Sequence, residues 1–182
     1  MHIDFSNIQT ASAVPGAAAM IETFRAIGYS LETAVADIID NSISAEAKNI
    51  YINRVWRGGE SIITIKDDGC GMSNDEIMQA MRPGAQNPLE ERSLTDLGRF
   101  GLGLKTASFS QCRNLTVMSK QDGGAVSYWT WSLDYVAQSD KWELIKWAPD
   151  EYLNALDDIA RGTIVIWSHL DRVIPSATRE ED

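Results

Sequence analysis

Between Leu31 and Ile43 the apolar residues recur with the period of an α-helix, and the polar ones collect opposite them. Wound at about 100° per residue, the stretch puts Leu31, Val35, Ile38, Ile39 and Ser42 on one side. Thr33, Asp37, Asp40, Asn41 and Ser44 fall on the other. Ser30 stands where an N-cap belongs, and Glu32 lies in the first turn, where the helix dipole favours an acid. Asp37 and Asn41 are one turn apart and share a face. A carboxylate and a carboxamide so placed suit three tasks: holding a metal ion, orienting a water, or facing solvent. The segment by itself leaves all three open.

The elements around it are predicted from pattern and punctuation. Residues 1–14 read as an N-terminal arm. From Pro15 the spacing of Met20, Phe24 and Ile27 predicts a helix, with Gly28 as its stop. Strands are expected over Asn49–Trp56 and Ser61–Asp68, joined by Gly58-Gly59. In the second strand Ile63, Ile65 and Asp67 share a face, and Ile62, Thr64 and Lys66 share the more polar one. Asp67 is therefore in phase with the core, where a carboxylate needs donors or a ligand. A short helix follows Ser73, whose hydroxyl forms a capping box with Glu76. Arg82–Leu97 loses all periodicity, holds Pro83, Gly84 and Pro88, and is long for a connection in a compact domain.

The rest reads mostly as sheet. Leu115–Lys120 and Ala125–Leu133 flank Asp122-Gly123-Gly124, a second hairpin signal. Trp142–Trp147 reads as a further strand, Glu151–Ile159 as a short amphipathic helix, and Thr163–Ser168 as a last strand. The division expected is an arm over 1–14, one domain over 15–175 and a charged tail over 176–182.

Composition narrows the class of function. A chain of 182 residues, 44% of them hydrophobic, suits one globular domain. Its net charge of −10 argues against gripping a nucleic-acid backbone through this domain. No apolar run approaches a membrane span, and the N-terminus lacks a signal peptide's basic start. Cys70 and Cys112 have no zinc-ligand spacing and are too few for a disulfide scaffold, which points to the cytoplasm.

Gly98-Arg99-Phe100-Gly101-Leu102-Gly103 opens a helix expected to run to about Gln111. Glycines at a helix start let backbone amides approach an anion, and Lys105 in the first turn adds a charge. Two familiar phosphate motifs are excluded. Leu104 displaces Lys105-Thr106 by one residue from the Walker A pattern. The glycine order G-x-x-G-x-G, after a loop, is not that of a dinucleotide fold.

Taken in order, D-I-I-D-N (Asp37–Asn41), D-D-G-C-G-M (Asp67–Met72), G-R-F-G-L-G-L-K (Gly98–Lys105) and R-G-T (Arg161–Thr163) resemble the motifs of the GHKL ATPases. That superfamily includes gyrase B, the heat-shock chaperone ATPases, histidine kinases and MutL. The glycine loop is most similar to the MORC and chaperone branches. The resemblance implies a Bergerat-type α/β sandwich with a mixed, mainly antiparallel sheet and helices on one face. It implies ATP and Mg2+ as cofactors and a site made of these motifs. Asn41 becomes the magnesium ligand. Asp67 accepts from the adenine amine, Gly69 and Gly71 let the chain pass the base, and Met72 walls it. Gly98, Arg99, Phe100, Gly101, Leu102 and Gly103 cradle the phosphates, with Lys105 near the γ-phosphate. Thr163 shares a water network with Asp67, and Arg82–Leu97 becomes the lid.

One departure bears on catalysis. Hydrolysing members usually carry glutamate where this chain has Asp37, which as general base reaches one methylene less. The resemblance therefore implies a slow ATPase that closes its lid and dimerises as a switch. The alternatives are a nucleotide sensor that does not hydrolyse and a histidine kinase catalytic domain. His2 and His169 are the chain's two histidines, and neither lies on a helix preceding the domain, which weighs against the kinase. The expectation is a fragment of a longer protein whose transducer or effector domain is not in this sequence.

Overall fold

A computed structural model describes residues 5–6, 8–84 and 103–173. Two hairpins and a late strand make the sheet. β1 (Ile50–Val55) and β2 (Ile62–Asp67) pair antiparallel, with Val55 opposite Ile62. Between them the Ser61 hydroxyl accepts the Arg57 N–H and donates to the Gly58 carbonyl, both at 2.8 Å. β3 (Asn114–Lys120) and β4 (Ser127–Ser132) form the second hairpin around the expected glycine turn. β5 (Gly162–Ser168) lies between them, antiparallel to β2 and to β3, in the order β1-β2-β5-β3-β4. The mainly antiparallel sheet expected is there, and every described pairing is antiparallel.

The helices cover one face. They are α1 (Ala17–Arg25), α2 (Leu31–Ser44), α3 (Asn74–Met81), α4 (Gly103–Phe109) and α5 (Leu133–Ser139). Ile21, Ile38, Ile77, Phe109 and Val136 from these helices pack on Ile63, Ile65, Val117 and Trp167 of the sheet. This is the α/β sandwich expected from the motifs. Ser30 caps α2 by accepting the Thr33 N–H at 3.2 Å. Ser73 and Glu76 close the expected capping box on α3. α1 has no side-chain cap of its own from Gly16; the carboxylate of Asp140, just past α5, accepts the Ala18 N–H at 3.0 Å.

The opposite face is covered too, by chain of a kind the sequence pattern did not indicate. Ile62, Met118, Ile164 and Ile166 pack there against Ala148 and Leu156. Trp142–Trp147 is not a strand: Ile145 alone bridges to Thr130, while Trp142 and Leu144 turn into the helix-side core. Glu151–Ile159 is not an α-helix. A 3-10 turn at Asp150–Tyr152 is followed by isolated turns, Ala155 N–H to Tyr152 and Asp157 N–H to Asn154. The Lys120 ammonium reaches the Leu156 and Ile159 carbonyls at 3.4 and 2.9 Å, and Lys66 takes the Asp158 carboxylate at 2.6 Å. Polar partners from the sheet thus satisfy this segment without a helix. The strand expected through Leu133 stops at Ser132, whose hydroxyl caps α5 by accepting the Tyr135 N–H.

Candidate functional site

Three stretches of chain meet at one end of the sheet: the end of β2, the start of β5 and the end of β3. The ladder registers set Thr163 opposite Asp67 on one side and opposite Ser119 on the other. Two glycines permit this closeness. Gly162 has φ +146°, and any side chain there would run into the Asp67 carbonyl. Gly71 has φ +69°, and a side chain on it would strike the Lys120 carbonyl. The D-G-C-G-M turn is thereby pressed against the end of β3.

Asp67 is 6% exposed. Its Oδ2 accepts from the Ser42 hydroxyl at 2.8 Å and its Oδ1 from the Gly69 N–H at 2.9 Å. A carboxylate offers about four lone-pair positions, so two described donors leave acceptor capacity over. The neighbouring Asp68 differs: it takes the Lys48 and Asn49 N–H groups on one oxygen and the Asn49 amide on the other. Those donors, the Asn49 backbone first, pull its carboxyl down to about 2. Asp68 ties the start of β1 to the end of β2.

Thr163 is buried, with Oγ1 2.8 Å from the Ser119 hydroxyl. Ser119 also accepts the Met72 N–H at 2.8 Å and lies 3.0 Å from the Gly162 carbonyl. Met72 is half-buried against the helix-side core.

On α2, Asp37 is half-buried and Asn41 exposed, and neither side chain hydrogen-bonds any described residue. α2 packs on α4, so that a Cβ placed on Gly103 would lie 3.7 Å from the Asp37 carboxylate. The polar face of α2 and the last glycine of G-R-F-G-L-G are therefore neighbours. Gly98, Arg99, Phe100, Gly101 and Leu102, with residues 85–97 of the expected lid, lie outside the described residues. Lys105 is 2% exposed, and its ammonium donates to the Ala80 carbonyl at the end of α3, 2.7 Å away. Burial lowers this ammonium to about 8.

The arrangement brings the first, second and fourth motifs, and the end of the third, to one side of the fold. Residues 29–163 match the family model described as histidine kinase-, DNA gyrase B- and HSP90-like ATPase. The chain belongs to this GHKL family of ATPases.

ATP binding and hydrolysis are the chemistry of GHKL domains. Among curated relatives, the chain is 31% identical over 91 residues to ATPase morc-1 of Caenorhabditis elegans, covering 50% of this chain and 10% of that protein. It is 35% identical over 103 residues to the DNA mismatch repair protein MutL of Paramagnetospirillum magneticum, covering 56% of this chain and 17% of that one. With MutL of Clostridium beijerinckii the figures are 36% over 98 residues, 53% and 15%. The chain thus spans less than a fifth of the length of these relatives. Among the described residues no helix is long and apolar enough to cross a membrane.

Two site residues escaped the sequence reading, Ser42 and Ser119. Each left a signal. Ser42 sits in phase with Leu31, Val35 and Ile38, and Ser119 continues the alternation of Leu115 and Val117. A serine in a core-facing phase needs a polar partner, and the partners here are the candidate residues Asp67 and Thr163.

Proposed function

We propose that this domain binds ATP with the adenine amine on Asp67 and hydrolyses it slowly, with Asp37 as general base. The observation that carries the reading is Asp67: a buried carboxylate, fixed by Ser42 and Gly69, that retains capacity for another N–H donor. The exocyclic amine of adenine is such a donor. Thr163 stands opposite to share a water-mediated network with it, Gly69 and Gly71 bring the chain close to the base, and Met72 supplies an apolar wall. The amides of Gly98–Gly103 receive the phosphates in this reading.

Asn41 holds Mg2+ in this reading. Its free carboxamide oxygen, one turn from the free Asp37 carboxylate, fits a hard cation that keeps waters and takes its remaining ligands from phosphates. Bound Mg2+ would neutralise phosphate charge. Asp37 accepts the proton of the attacking water. Its short reach makes the step slow, since misplacement by about 1 Å costs on the order of a hundredfold. Lys105 serves the γ-phosphate by leaving the Ala80 carbonyl, where its charge has one neutral partner.

The proposal extends to a switch. Residues 82–97 close as a lid, two copies associate in the ATP-bound form, and a domain beyond this chain reads the change in the cytoplasm. The working unit is residues 15–175, with 1–14 as an arm and 176–182 as a charged tail. The small share of each relative that the chain spans supports a longer protein of this kind.

The test is steady-state phosphate release from ATP with Mg2+, for the native chain and for Asp37→Asn. Loss of release with ATP binding kept is the expected result, and equal rates remove Asp37 as base. Binding without turnover in either chain assigns a sensor, and label appearing on a protein histidine assigns a kinase. Native Asp67→Asn affinity for ATP would overturn the whole placement.

A further inference from the structure

Ser119 lies outside every motif of the family, is fully buried, and has three polar neighbours at the same end of the sheet. They are the Met72 N–H at 2.8 Å, the Thr163 hydroxyl at 2.8 Å and the Gly162 carbonyl at 3.0 Å. Met72 N–H can only donate, so it occupies one lone pair of the serine oxygen. Ser119 has a single proton for its two remaining neighbours. If Gly162 receives it, the Thr163 hydroxyl must donate to Ser119 and turns only lone pairs towards the base. If Thr163 receives it, the threonine keeps its own proton for a ring nitrogen or a water.

We propose that Ser119 is a positioning residue for base recognition, fixing Met72 and Thr163 together and setting whether Thr163 donates or accepts. The inference rests on the ATP reading above and deepens it. The two motifs proposed to contact the base are also joined through the sheet, where Asp67 pairs with Thr163. Ser119 links them through one oxygen, so the apolar wall and the hydroxyl cannot shift independently. Because the serine proton can turn between two acceptors without moving a heavy atom, the site can meet an acceptor on the base edge with a donor.

The experiment measures the ATP dissociation constant by calorimetry, with Mg2+, alongside kcat for phosphate release. The variants are Ser119→Ala, Thr163→Val and the double variant. Ser119→Ala is expected to weaken ATP binding about tenfold, the cost of leaving buried polar groups unpaired, with kcat at saturation unchanged. In the Thr163→Val background the same substitution should cost less than half as much, because the shared hydrogen bond is already gone. Ser119→Cys keeps the shape with a weak hydrogen-bonding atom and should reproduce the loss if Ser119→Ala folds poorly. Unchanged ATP affinity in both Ser119 variants overturns the proposal, as does full additivity in the double variant. If the native chain binds ATP and Asp67→Asn does not, those outcomes remove Ser119 alone; if the native chain does not bind ATP, the reading beneath it falls as well.

Discussion

Asp67 and Asp68 are adjacent in the chain and hold opposite commitments: Asp68 spends both oxygens on the backbone and side chain of residues 48–49, while Asp67 keeps capacity for another donor. The alternation of a β-strand end separates them. One faces the helix-side core and the site, the other the entry to β1. Only the first belongs to the proposed chemistry, and the second holds the edge of the sheet in place.

The Asp68 carboxyl lies at about 2 in the folded chain against 3.8 for the free side chain. Its folded value is depressed, so its contribution is present above pH 3.8 and is lost as the pH falls through about 2. Acid titrations of stability should show an extra loss in that window, and Asp68→Asn should remove it. Thermal unfolding of both chains between pH 5 and 2 makes the comparison.

Lys105 gives the opposite region of the pH scale. Its ammonium lies at about 8 when folded and 10.5 when free, so the unfolded chain binds more protons between those values. Stability should therefore rise with pH across that window, by at most about 3 kcal/mol. Lys105→Met should flatten the rise in urea unfolding between pH 7.5 and 10, while weakening ATP binding in the same pH range.

Lengthening the proposed base should speed the reaction. Asp37→Glu restores one methylene of reach from a helix position whose side chain has no described partner to give up. Turnover should rise by about tenfold or more with ATP affinity within about twofold, read from phosphate release at saturating ATP. A fall in turnover would show that the site is built around the shorter acid.

Gly162 is the point where β5 begins against the Asp67 carbonyl. Gly162→Ala should cost roughly 2–4 kcal/mol of stability through strain and collision. ATP binding should weaken as well, because relief of the clash moves Thr163 away from Asp67. Denaturant midpoints and calorimetry report the two effects separately.

The legible parts of this fold were those where local pattern and tertiary environment agree. The hairpins, the Ser30 and Ser73 caps and the core phase of Asp67 follow from periods of two and 3.6 and from side chains that reach their own backbone. The stretch 142–159 failed that test because its partners are distant. Lys66, Lys120 and Thr130 decide its shape, and nothing within the stretch announces them. α5 was hidden for a related reason, its cap lying at the last residue of a strand. At the candidate site, the four motifs could be picked out from the sequence, and the described parts of them lie near one another in the fold. Ser42 and Ser119 could not be picked out, because a core serine is informative only once its partner is known.

The strand order β1-β2-β5-β3-β4 places the last strand of the described fold at the centre of the sheet. Until residue 168 has left the ribosome, the two hairpins have no shared neighbour, and their inner edges are unpaired. The same strand delivers Gly162 and Thr163 to Asp67. Completion of the sheet and completion of the proposed base site are therefore one event in the life of a nascent chain, and nucleotide capture can report that the domain has closed.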